Sequence, residues 1–228
     1  MTTTLITGAT RGLGRETARR LIDLGHVVYV GARDAAAGQK VADELDARVL
    51  PLDVTDDASV RAAADRLATE AGALDVLVNN AGIAGDQRPP AEATLEDMTR
   101  VFDTNVFGAA RVLKAFTPLL EASAAPVVVD VSSAVGSLTR NSDPAAPWNI
   151  LAYPMSKAAL NMLTIQYAKA YPRWRVNAVT PGLTATEFTA GHRGWPVEEG
   201  AQIIVRMAAI GPDGPTGTFV EDAGTVPW

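Results

Sequence analysis

Thr7-Gly8-Ala9-Thr10-Arg11-Gly12-Leu13-Gly14, "TGATRGLG", closes the apolar run "TLIT" and opens the segment "GRETARRLIDLG" (14–25), whose apolar residues recur at three- and four-residue spacings. That order reads as strand, tight turn, helix. Glycines permit the turn and bring backbone N–H groups close to a pyrophosphate, whose charge the helix N-terminus also favours. The spacing differs from G-x-G-x-x-G, so the reading rests on the position directly after the first strand. Gly8, Thr10, Arg11, Gly12, Leu13 and Gly14 are the candidate dinucleotide-binding residues.

Further apolar runs follow at intervals: "HVVYVGA" (26–32), "RVLPLDV" (48–54), "LDVLVNNAG" (74–82), "PVVVDVSS" (126–133) and "WRVNAVTPG" (174–182). Each is rich in Val, Leu or Ile without strict alternation, as expected of strands buried on both faces. Helical patterns lie between them at 35–45, 56–72 and 94–120. Strands alternating with helices predict an α/β fold, a doubly wound parallel sheet with helices on both faces, formed as a single Rossmann domain over 1–228. Two turn-rich stretches break the rhythm, at about 134–149 and 183–196, and both follow the carboxyl end of a strand, where open parallel sheets place ligands. They are read as substrate walls, with Val135, Trp148, Leu183, Phe188 and Trp195 as apolar members. His192, in the second stretch, is read as a solvated loop histidine.

The end of the second strand, "YVGARD", bears on which dinucleotide is bound. A carboxylate about 20 residues past the glycines binds a ribose 2′-OH, whereas an arginine accommodates a 2′-phosphate. Arg33 stands there, and Arg11 in the glycine turn offers a second guanidinium to the same phosphate. NADPH/NADP+ is expected ahead of NADH; the alternative is that Asp34 serves as the ribose ligand.

Composition removes other classes. With 228 residues and a formal charge of -6, the chain lacks the concentrated positive charge that nucleic acid requires. It has no cysteine and only His26 and His192 as imidazoles, so no metal site is expected. The start "MTTTLITGAT" has no basic and apolar leader, and no apolar run is long enough to cross a bilayer, so a cytoplasmic protein without membrane contact is expected.

"YPMSK" places Tyr153 and Lys157 four apart, on one face of a helix. An ammonium beside a phenol favours the phenolate, which predicts a Tyr153 pKa lowered from its ordinary value of ~10. Pro154 fits only a first helical turn, or a site where its missing N–H is compensated.

With these residues in place, the chain resembles the short-chain dehydrogenases/reductases over nearly its whole length, through "TGATRGLG", "LDVTD", "NNAG", "TNVFG", "VSSAVG", "YPMSK" and "PGLTAT". Its closing stretch is more similar to the carbonyl-reductase branch than to the acyl-carrier-protein ketoreductases. The resemblance implies that Tyr153 is the proton donor, that Lys157 holds the nicotinamide ribose and lowers the Tyr153 pKa, and that Ser133 polarises the carbonyl, with Ser132 as the fallback. Asn105 would organise a proton-relay water or tie its helix to a neighbouring strand. Asp53 and Val54 would meet the adenine; Asn79, Ala81 and Gly82 would line the adenosine and ribose side. Pro181, Gly182, Leu183 and Thr186 would surround the nicotinamide. The implied activity is NADPH-dependent reduction of a ketone, aldehyde or quinone. The alternatives are a dinucleotide sensor without turnover and an NAD-linked alcohol dehydrogenase. Ser133 and Tyr153 stand 20 residues apart, several more than relatives usually have, which leaves homodimer and monomer both open.

Overall fold

Among the described residues, eight strands form one sheet in the order β3-β2-β1-β4-β5-β6-β7-β8. They are β1 (Thr3–Thr7), β2 (Val27–Ala32), β3 (Arg48–Pro51), β4 (Val76–Asn79), β5 (Val127–Val131), β6 (Arg175–Val179), β7 (Phe219–Glu221) and β8 (Gly224–Thr225). The computed structural model describes residues 1–189 and 194–228. β1 to β7 pair in parallel, and β8 closes the edge antiparallel to β7. Strand order reverses between β1 and β4, the switch point outside which such sheets bind ligands.

Burial on both faces explains the uninterrupted apolar runs. Leu5 of β1 belongs to the core under α3 (Asp57–Ala71), α5 (Ala109–Glu121) and α7 (Ala152–Ala170), with Val112, Leu113 and Phe116. Its neighbour Ile6 belongs to the core under α1 (Gly12–Asp23), α2 (Ala35–Leu45) and α8 (Val197–Ala208), with Leu21, Val41 and Ile203. Both positions must be apolar, so the period of two is erased.

Local chemistry sets the helix ends. Asp34 caps α2 by accepting from the Ala36 and Ala37 N–H groups, and Asp56 caps α3 by accepting from Ala58 N. Gly72 ends α3 in the left-handed region at φ 75°. Pro154 is the third residue of α7, where its missing N–H would have had no intrahelical partner.

The helix expected over 94–120 is continuous but not uniform: α4 (Leu95–Phe102) passes through a π-helical turn at Asp103–Gly108 into α5. Such widened turns concentrate at functional sites, and this one carries Asn105. The sequence reading assigned no element to the closing stretch, which forms α8, β7 and β8. Two of these are strands of three and two residues, too short for a period to register. A short helix, α6 (Leu138–Asn141), also forms within the turn-rich stretch before α7. No helix among the described residues is long and apolar enough to cross a membrane.

Phe116 is fully buried where α5 meets the sheet. Phe116→Ala is expected to lower the unfolding free energy by about 3–5 kcal/mol in a urea titration, and a loss below about 1 kcal/mol would contradict this packing.

Candidate active site

The glycine turn lies at the carboxyl end of β1, beside the switch point. Gly8 (φ 64°) and Gly12 (φ 52°) occupy the left-handed region. A Cβ on Gly14 would stand 2.5 Å from Asn80 Nδ2 and 2.8 Å from the Gly8 carbonyl oxygen. Arg11 is the N-cap of α1, which has no side-chain cap and no acidic residue in its first turn. The N–H groups that begin α1 are thus left without a side-chain partner, the arrangement a pyrophosphate needs. Thr186 faces this turn, with Gly12 and Thr186 lining one cleft of about 240 Å³.

α7 brings the second group together by one face. Lys157, Asn161 and Thr164, at spacings of four and three, meet successive groups of the β5 end. Lys157 Nζ donates to the Val131 carbonyl at 2.7 Å, Ser132 Oγ donates to Asn161 Oδ1 at 2.6 Å, and Thr164 Oγ1 donates to Asp130 Oδ2 at 2.7 Å. Ser132 is thereby turned into the seam. The adjacent Ser133 points to the other side of the chain, where it acts on the Tyr153 phenol. Of the two serines read from "VSS", Ser133 is the one beside the tyrosine.

Asn105 lies in the π turn and ties it to the loop after β4 and to α7, where a tie to a strand was expected. Its Oδ1 accepts from Ile83 N at 2.8 Å, and its Nδ2 donates to Ile83 O at 2.9 Å and to Ser156 Oγ at 3.0 Å. A Cβ on Gly82 would lie 3.3 Å from Asn105 Oδ1 and 3.7 Å from Lys157 Nζ, so Gly82, Asn105 and Lys157 border one space.

The electrostatics differ from the sequence expectation. Burial pushes the Tyr153 phenol up to about 12, with the Ser133 hydrogen bond opposing it. Burial also lowers the Lys157 ammonium to about 8, against a pull from Asp130. Lys157 Nζ stands 5.6 Å from the centroid of the Tyr153 ring and is bonded to Val131 O. Desolvation therefore outweighs the expected lowering of the phenol.

Other sequence-predicted residues have contacts of their own within the protein. Asn79 is buried within β4 and donates to Asp130 at 2.8 Å, so its side chain is a strand-to-strand tie and not a lining of the adenosine side. The neighbouring Asn80, which sequence reasoning passed over, instead braces the glycine turn by donating to Thr7 O at 2.9 Å and Gly8 O at 3.0 Å. Adjacent strand residues point to opposite sides, and that alternation was the signal available in "NNAG". Ala81 packs beside Gly8. Asp53 is occupied by Thr55, accepting from its N–H at 2.9 Å and its hydroxyl at 2.7 Å, and Val54 is buried near Gly108. Arg11 does not join Arg33; it pairs with Glu187 across the cleft, because that carboxylate is the charged partner within reach of an exposed N-cap side chain. Arg33 is exposed just past β2, and Asp34, the alternative ribose ligand, is engaged in capping α2.

The outer walls form two groups. Val135 and Trp148 line a cavity of about 300 Å³ together with Arg140, Asn141 and Pro147. Phe188 lies on the opposite side, its ring 5.7 Å from that of Tyr153, and Trp195 packs beside Gly182, which follows Pro181 at φ 71°. Leu183 is exposed beside them. His192 lies outside the described residues.

A strand-glycine turn-helix unit at the switch point and a Ser-Tyr-Lys group at the β5 end recur together in known proteins. The family model of the short chain dehydrogenases matches residues 2–196. The chain belongs to the short-chain dehydrogenase/reductase family. Its relatives include short-chain dehydrogenase anuI of Penicillium roqueforti (strain FM164), 35% identical, covering 97% of this chain and 94% of that protein. The structure of salutaridine reductase from Papaver somniferum superposes with a TM-score of 0.86 at 29% identity, covering 97% of this chain and all of the other. An NADPH bound carbonyl reductase from chicken fatty liver superposes at 0.87 with 27% identity, covering 99% and 98%. This short-chain dehydrogenase/reductase is thus a member of an oxidoreductase family that binds nicotinamide cofactors. Its residues fit such a group: the start of α1 is uncapped, and Gly8 and Gly12 bring bare backbone to the turn at positive φ.

Because a methyl group at position 14 has no space, Gly14→Ala is expected to weaken nicotinamide dinucleotide binding about tenfold or more in a fluorescence titration. Unchanged affinity would contradict the placement of the dinucleotide at this turn.

Proposed function

We propose that this protein is an NADPH-dependent reductase that converts a ketone, aldehyde or quinone with an apolar body into the alcohol. The observation that carries the reading is the meeting of Ser133, Tyr153 and Lys157 at the carboxyl end of β5, next to the switch point. Two of its structural relatives, a salutaridine reductase and an NADPH bound carbonyl reductase, support it.

When bound, the reduced nicotinamide supplies the hydride. Gly8, Thr10, Gly12, Leu13 and Gly14 hold the pyrophosphate against the start of α1, and Lys157 binds the nicotinamide ribose. Pro181, Gly182, Leu183 and Thr186 border the nicotinamide, and Ala81 and Gly82 border the remainder of the cleft. Arg33 binds the 2′-phosphate. Ser133 and Tyr153 donate hydrogen bonds to the carbonyl oxygen as negative charge develops on it, and Tyr153 then transfers its proton to complete the alcohol. A phenol raised to about 12 holds its proton throughout the neutral range, which suits a donor. The Lys157 charge, so near, stabilises the phenolate left behind. The segments at 134–149 and 183–196 form the substrate walls, with Val135, Trp148, Phe188 and Trp195 as contacts.

NADPH consumption with a panel of quinones, aromatic ketones and aldehydes tests the reading. Tyr153→Phe is expected to reduce kcat/KM by about 10²–10⁴-fold. Binding of NADPH without turnover across the panel would contradict a reductase. Ser133→Ala should lower kcat/KM by about tenfold or more, whereas Ser132→Ala should act mainly on stability, and the reverse pattern in paired kinetic and thermal assays would overturn the assignment of Ser133. Arg33→Asp should cut the ratio of NADPH to NADH affinity by about tenfold or more, and an unchanged ratio would remove the 2′-phosphate assignment. A lysine whose pKa is lowered to about 8 loses its charge as pH rises through that value, so kcat/KM for reduction should decline above about pH 8.

A further inference from the structure

Asp130 has no part in the reaction as described, yet it is a fully buried carboxylate in the centre of the sheet. It lies on β5 between Asn79 of β4 and Ala178 of β6. Its Oδ1 accepts from Asn79 Nδ2 at 2.8 Å and its Oδ2 from Thr164 Oγ1 at 2.7 Å. A buried carboxylate is costly to keep charged unless it is paired. Both of its hydrogen-bond donors are neutral.

The Thr164 hydroxyl has one proton and two acceptors, Asp130 Oδ2 and the Leu160 carbonyl at 3.0 Å. A charged Asp130 takes that proton. A protonated Asp130 donates to Thr164 instead, and the hydroxyl then turns to Leu160. The same atoms satisfy both states, so Asp130 can change charge without rearrangement.

The charge is directed at the lysine. Thr164 and Lys157 are seven residues apart on the α7 face that meets β5, and Lys157 bonds the carbonyl of Val131, the residue after Asp130. The Asp130 carboxylate favours the charged form of Lys157, against the desolvation that lowers it. Other acids on neighbouring elements are engaged or outward-facing: Asp97 of α4 pairs with Arg100, Asp103 of the π turn pairs with Arg111, and Glu96 is exposed. Arg175, the charged residue of β6, bonds the Pro212 carbonyl at the far end of its strand. Tyr153 and Tyr167, both on α7, are the remaining titratable groups nearby.

We propose that Asp130 is a positioning residue that acts through Lys157: its carboxylate, held under α7 by Asn79 and Thr164, keeps the buried ammonium charged and so sets the upper pH limit of reduction. This rests on the role given to Lys157 under the proposed function. Burial raises Asp130 to about 6 and lowers Lys157 to about 8, so both groups are charged between those values.

The chain has four lysines, Lys40, Lys114, Lys157 and Lys169, so lysine labelled with ¹³C at Cε gives a spectrum simple enough to follow Lys157 by NMR as pH is varied. Asp130→Asn keeps the shape and can be accommodated, because Asn79 Oδ1 has no partner among the described residues and can accept from the new amide. The Lys157 titration should then fall by about one unit. The alkaline limb of the kcat/KM profile should fall with it, while activity near pH 6 stays within about threefold. Thr164→Val, which removes a donor to the carboxylate, should move both readouts the same way, and Thr164→Ser should restore them. A Lys157 titration unchanged in both Asp130→Asn and Thr164→Val overturns the proposal, as does a limb that moves while the titration does not. The NMR readout needs no turnover, so a wild-type protein that reduces no carbonyl compound would defeat the proposed function and leave this test standing.

Discussion

The polar seam between α7 and the end of β5 is the contact on which the site depends. A helix packed on a sheet usually presents apolar side chains, and α7 does so along Leu160, Leu163 and Tyr167. Its Lys157, Asn161 and Thr164 instead bind a backbone carbonyl, a serine hydroxyl and a carboxylate of one strand end. Each of these bonds is buried, where a lost partner leaves an unsatisfied group that costs about 1–3 kcal/mol. The seam therefore fixes the height and rotation of α7. That in turn fixes where Tyr153 stands, one helical turn before Lys157.

Burial has opposite uses at the two ends of the cleft. Around α7 it excludes water, so one carboxylate acts strongly on one ammonium and the phenol is held in its protonated form. At the glycine turn the opposite holds: small residues and an uncapped helix leave backbone donors open to an incoming anion. The switch point of the sheet puts these two environments side by side. The exposed aromatic residues beyond them, Trp148, Phe188 and Trp195, lie on segments that follow β5 and β6 and are not held by the sheet.

The fold was legible because its evidence is local. Strand runs buried on both faces and a glycine-rich turn each announce themselves within a few residues. Tyr153, Lys157 and the glycine turn could be named for the same reason. What stayed hidden depends on side-chain direction and on contacts between distant segments. Asn79 and Asn80 are adjacent, and only the pleat decides which one braces the turn. Ser132 and Ser133 are separated in the same way. The pKa of Tyr153 depends on how dry its surroundings are, which spacing along a helix does not encode. Arg11 could not be assigned because its partner, Glu187, is 176 positions away.

The central claim is that these residues direct hydride to a carbonyl carbon and a proton to its oxygen. The most direct measurement follows the label: NADPH carrying deuterium at the transferable position is consumed with a carbonyl substrate, and the alcohol is analysed by mass spectrometry and NMR. One deuterium on the carbinol carbon is predicted, with the hydroxyl proton drawn from solvent. Alcohol without deuterium at that carbon, or NADPH oxidised without alcohol formed, would contradict the account.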